Sequence, residues 1–139
     1  MSAVRLIAYS LCIGLAATLV TACSDGEACV QVDTACQPLY EPTFANIFQN
    51  TLVPSCGVAG VACHAPEGAA GGLVFADIEQ SYQQLAGDSA RIDPDNVGCG
   101  ALLSRLGSTE PSYQMPPSAP LAEAELCAIR QWVVSGAVR

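Results

Sequence analysis

Lysine is absent from this 139-residue chain; its five basic residues are all arginine, against thirteen acids, for a net charge of −8. A basic face is what phosphate recognition requires, so the charge balance argues against binding nucleic acid or anionic lipid through charge. The acids are scattered singly and form no acidic tail, which reads as a solvated surface. Histidine occurs once, at His64, and no Ser or Asp neighbour completes a recognisable catalytic triad. No glycine-rich strand-loop-helix motif for phosphates is present. These absences argue against a hydrolase or transferase. A Cys/His zinc site is possible by residue type, but an oxidising compartment favours disulfides. No run alternates as a strand would, and no internal repeat is visible.

Cysteine, by contrast, is abundant, with eight in the chain. Arg5 is the only early charge, and the 15 residues from Leu6 to Val20 are almost wholly apolar. That run is short of the roughly 20 residues needed to span a bilayer. A positive start, an apolar stretch and the small residues Thr21 and Ala22 before Cys23 make a secretory signal. Leu19-Val-Thr-Ala-Cys23 resembles the lipobox of bacterial lipoproteins. That resemblance implies cleavage before Cys23, lipid on its sulfur and attachment to a membrane of the cell envelope. Ser24 stands where inner-membrane lipoproteins often carry Asp, which favours the outer membrane.

The organisation expected is a signal peptide over 1–22, a lipid-anchored polar tether over 23–42 and a domain over 43–139. Cleavage removes Cys12 and Arg5, and six cysteines remain besides Cys23: Cys29, Cys36, Cys56, Cys63, Cys99 and Cys127. Six cysteines allow 15 connectivities. Cys29 with Cys36, inside the tether, and Cys99 with Cys127 are the candidate disulfides.

The domain reads as all-α, with about four short helices and long loops. Thr43 is a good N-cap for a helix carrying Phe44, Ile47, Phe48, Thr51 and Leu52, which Pro54 ends or kinks. Ile78 to Leu85 forms a second helix stopped by Gly87, and Ala101 to Leu106 a third ended by Gly107. Ala122, Leu126, Ile129 and Val133 share one face of the last helix, with Gly136 as its C-cap. Short helices and long loops make a weak core, so disulfides or a cofactor must add stability.

Three pieces carry chemistry: Cys56-Gly-Val-Ala-Gly-Val-Ala-Cys63-His64 after the first helix, Gln114-Met-Pro-Pro117 in a late loop, and the last helix through Trp132 to Gly136. In this order they resemble the c-type cytochromes, over roughly residues 43 to 137. The resemblance implies a small cytochrome c-like helical domain and haem c bound through Cys56 and Cys63, with His64 and Met115 as the ligands of the haem iron. It further implies single-electron transfer rather than catalysis, and an acidic surface suited to a redox partner with a basic docking face. His64 is the only His, and Met115 the only Met beyond the initiator.

The family motif has two residues between its cysteines, whereas six separate Cys56 from Cys63. Gly57 and Gly60 would let that wider loop fold back by adopting positive φ. The spacing leaves a second reading open, a haem-less, disulfide-stabilised structural or interaction module of the envelope. In it Cys56 and Cys63 pair with each other, His64 is a solvated loop residue and Met115 fills a gap in the core. Trp132 is expected in the core on either reading.

Overall fold

Thr43 stands in extended conformation at the head of the first helix, and its Oγ1 accepts from the Asn46 amide at 3.3 Å. A β-region residue with a side-chain acceptor is what the orphan amides of a first turn need. The computed structural model describes residues 29–57, 63–88, 90–117 and 119–139. The signal peptide, Cys12, Cys23 and Gly60 lie outside the described residues. Among those described there are helices and no strands, in keeping with the all-α expectation.

Helix α1 spans Phe44–Ile47 and runs on as a wider π-type helix over Phe48–Cys56. Pro54 lies inside that segment and, of the two outcomes expected of it, does not end the helix. The wider winding carries the chain past a residue that has no N–H to contribute. The end comes at Gly57, whose amide donates to the Leu52 and Val53 carbonyls. A short 3₁₀ turn follows at Ala70–Gly72. Helix α2 spans Ile78–Ala86 and is capped by Asp77, whose Oδ1 accepts from the Gln80 amide at 2.9 Å. Helix α3 spans Ala101–Leu106 and stops at Gly107; helix α4 spans Glu123–Val134. The close of α4 is a Schellman motif at Gly136: the Gly136 amide donates to Val133 and the Ala137 amide to Trp132.

Helix α1 packs against α4, and the core lies between them. Phe44, Ile47, Leu85, Leu103, Ile129 and Trp132 are fully buried. The Phe44 ring stands 5.2 Å from both the Trp132 and Tyr82 rings, within the range of favourable aromatic pairs. The Trp132 indole N–H donates to the Val138 carbonyl at 2.7 Å, so its polar edge is satisfied inside the core. Trp132 is a core residue.

The cysteine pairing differs from the sequence expectation. Cys29 bonds to Cys99 and Cys36 to Cys127; neither Cys29–Cys36 nor Cys99–Cys127 forms. The physical reason is the path of residues 29–42, which run across the domain rather than away from it. Val30, Val32 and Tyr40 pack against the core. The Val30 amide donates to Gly98 and the Leu39 amide to Ala124. Gln131 Nε2 donates to the Thr34 and Cys36 carbonyls, each at 3.1 Å. At Gly98 the approach is so close that a Cβ would collide with the Val30 carbonyl oxygen. Each cysteine of this segment therefore meets a cysteine of the domain. From Cys29 onward, the expected tether is part of the fold.

A buried polar relay joins the same segment to two helices. Tyr40 Oη and Thr51 Oγ1 share a hydrogen bond, and Thr51 Oγ1 donates to Glu125 Oε1 at 3.2 Å. Glu125 Oε2 also accepts from the Ala122 amide at the head of α4. Thr51 is wholly buried, so Thr51→Val removes the link and leaves Tyr40 without its partner. The expected cost is about 1–3 kcal/mol, the penalty for stranding a buried polar group. A urea melt checks it, and a change below about 0.5 kcal/mol would show that the relay contributes nothing.

Candidate functional site

A cavity of about 450 Å³ lies beside the π-type segment, α2 and α3. That is within the range of roughly 300–1,000 Å³ typical of small-ligand sites. Its walls are mainly apolar, with Leu52, Leu73, Phe75, Leu85, Leu102 and Leu106 among them. Three of the residues singled out in the sequence also line it: Cys56, His64 and Met115. They come from three separate segments. Cys63 is half-buried and is not among the lining residues. Both Cys56 and Cys63 stay outside the two disulfides.

Each of the three reaches the cavity for a local reason. Cys56 is the last residue of the π-type segment. His64 is clamped by its backbone, its amide donating to Cys56 at 3.1 Å and its carbonyl accepting from Phe75 at 2.8 Å. That clamp closes the cysteine loop and needs a tight approach at Gly57. Gly57 has φ −101°, so positive φ is not the reason for glycine there. A Cβ would stand 2.9 Å from the Phe75 carbonyl oxygen. Met115 is held from α3: its amide donates to the Arg105 carbonyl at 3.0 Å. The Arg105 guanidinium stacks 4.3 Å over the Tyr113 ring, and Tyr113 Oη shares a 2.7 Å hydrogen bond with Ser104 Oγ. The Met115–Pro116 peptide is cis.

His64 is partly buried, with its ring centroid 5.0 Å from that of Phe75. Its Nδ1 is buried and has no hydrogen-bond partner. Burial lowers the pKa of the imidazole. The Leu73 and Ala70 carbonyls oppose that shift, and the nearby positive charges of Arg105 and Arg91 add to it. The balance favours a neutral ring, the form in which a histidine nitrogen serves as a metal ligand. A solvated loop histidine would show none of these features.

Burial, then the neighbouring Cys63 and then Glu125, push the Cys56 thiol up to about 11. Only the thiolate is nucleophilic, so at pH 8 Cys56 is expected to react with iodoacetamide on the order of a hundredfold more slowly than an ordinary thiol. Peptide-resolved mass spectrometry of the cofactor-free domain checks this, with the rate climbing as pH rises towards 11. Labelling at the rate of an unfolded peptide would contradict the burial.

Two cavity residues had no role in the sequence reading. Arg91 and Arg105 both line the wall. Arg91 is a strap: its guanidinium donates to the Gln84 carbonyl at 2.6 Å and the Gly71 carbonyl at 3.0 Å, and it pairs with Asp88 at 3.3 Å. A signal was available. With no lysine and four arginines left after signal removal, an arginine inside the cysteine-to-methionine interval is a scarce charge.

The donor set has a nitrogen, a thioether and a thiol on one mainly apolar cavity. Among the described residues no cluster of three or more His, Cys, Asp and Glu side chains is placed to hold a metal ion. No described helix is long and apolar enough to cross a membrane. No family model matches the chain, and no curated protein or solved structure matches it either.

Proposed function

We propose that this chain is a lipid-anchored, c-type cytochrome-like carrier of single electrons in the cell envelope. The observation that carries the reading is the meeting of Cys56, His64 and Met115 on one apolar cavity. These residues are separated by up to 59 positions in the chain (Cys56 to Met115). Haem c is the group this donor set suits. Cys56, on the cavity wall, and Cys63, outside the lining, would hold it by thioether bonds, and His64 and Met115 would be the ligands of its iron. The bound iron would supply one-electron exchange. The protein's own part is to exclude water with its leucine-rich walls and to present a soft thioether, which favours the reduced iron and raises the potential. Arg105 places positive charge on the wall, suited to a carboxylate of a haem, whereas the charge of Arg91 is met by Asp88 on the same wall. The acidic exterior suits a redox partner with a basic docking face.

A second reading is favoured by one feature, the six residues between Cys56 and Cys63. It is a haem-less lipoprotein that keeps the fold through Cys29–Cys99 and Cys36–Cys127 and serves as an interaction module. Expression of the mature domain with haem-attachment machinery separates the two. The carrier reading expects a Soret band that survives acid–acetone extraction and an intact mass raised by one haem. A colourless protein whose mass shows only oxidised cysteines would refute it and leave the module.

A further inference from the structure

The distance of this domain from its membrane is set by Cys29. If lipid sits on Cys23, six residues at most separate it from Cys29, which the bond to Cys99 fixes to the fold. Six extended residues reach at most about 20 Å. A tether running free to Thr43 would reach about 70 Å. The disulfide therefore replaces a long arm with a short leash. We propose that the Cys29–Cys99 bond holds one particular edge of the domain, the one that carries exposed Cys29 and half-buried Val30 and Cys99, towards the lipid surface. The cavity is thereby kept close to the membrane.

Several observations make the fixed point rigid and specific. The Cys29 and Cys99 Cα atoms are 4.2 Å apart. The Val30 amide donates to Gly98 at 3.0 Å. A Cβ on Gly107 would stand 3.2 Å from the Val30 side chain, so the segment also touches the end of α3. The cavity lies beside this point, because Ala101 and Leu102, two and three residues after Cys99, line its wall. Adding these few residues to the leash puts the cavity wall within about 30 Å of the lipid. Charge does not hold this face down. Asp93 and Asp95 lie in the same loop, and an anionic surface would repel them. The leash does the holding, and the surface it suits is zwitterionic lipid.

The proposal rests on the lipid-anchor part of the function proposed above and is independent of haem. Its test uses the full lipidated chain on a supported phosphatidylcholine bilayer, with the position of the protein layer read by neutron reflectometry. The wild type is expected within about 20 Å of the headgroups. Inserting twelve Gly/Ser residues between Gly26 and Glu27 leaves the domain intact, and should move and broaden the layer outward by roughly 20 Å, the mean span of such a linker. C29A/C99A should move it outward by less than the spacer does, since Val30 still bonds to Gly98 and Val32 still packs on the core. The same layer profile for wild type and spacer variant would overturn the leash while leaving the anchor in place. Absence of labelled fatty acid on Cys23 would overturn both. Haem content, read separately by absorbance, bears on neither.

Discussion

His64→Ala is expected to abolish the haem-loaded protein, whereas Met115→Leu is expected to keep the haem and lower its reduction potential. The asymmetry follows from what each side chain contributes. His64 is backbone-clamped between Cys56 and Phe75 and presents a buried ring nitrogen with no hydrogen-bond partner. Removing it takes away the only imidazole nitrogen the proposed iron site could use, since no other histidine exists. Loss of even an outer-shell partner costs about 10–100-fold in metal affinity, so loss of the ligand should reduce the yield of coloured protein by more than about tenfold. Met115 contributes a weak, soft donor from a loop held by Arg105. Leucine nearly matches its volume, and such swaps cost below about 1.5 kcal/mol. The cavity should stay closed and the Soret band persist, while the potential falls because the thioether no longer favours the reduced iron. Absorbance spectra and potentiometric titration of both variants give the answer. Two variants with wild-type spectra and potentials would remove both residues from the iron.

The second large effect concerns Cys36–Cys127. Cys127 is wholly buried in α4, and the bond spans 91 residues. On the chain-entropy account, a cross-link of that span stabilises by about 4–5 kcal/mol. C36A/C127A should therefore lower the unfolding free energy by about 3–5 kcal/mol, the range for native bridges of small exported domains. For a domain near 100 residues that is roughly a 15–30 °C fall in Tm. Urea and thermal melts of the oxidised wild type and the variant check it, and a difference below about 1 kcal/mol would contradict it. Non-reducing peptide maps test the connectivity directly, with Cys29 appearing on the Cys99 peptide and Cys36 on the Cys127 peptide. The long span accounts for the size of the effect. A Cys29–Cys36 bond would have closed an eight-residue loop and stabilised only the tether.

How far the fold was legible depended on how local each cause was. Thr43 as a cap, Gly87 and Gly107 as stops and Gly136 at the close of α4 were readable because a cap needs only the residues of one turn. The placing of Phe44, Ile47 and Ile129 in the core was readable from the apolar period of their helices. Pro54 shows where locality misleads: the rule that proline breaks a helix assumes normal α winding, and the chain widens instead. Gly57 shows the same at a loop, since the Phe75 carbonyl that demands glycine there is eighteen residues away.

The sequence by itself determined the helical class, the glycine stops of the later helices, the absence of a basic face and the residue types able to carry a haem. These follow from composition and from spacing within a few turns. Only the tertiary structure decided the disulfide pairs, because fifteen connectivities are equal until the path of residues 29–42 across the domain is known. It alone brought Arg91 and Arg105 to the cavity and put Cys56, His64 and Met115 on its wall. Those contacts join residues tens of positions apart, and only close packing of the whole chain determines which of them meet.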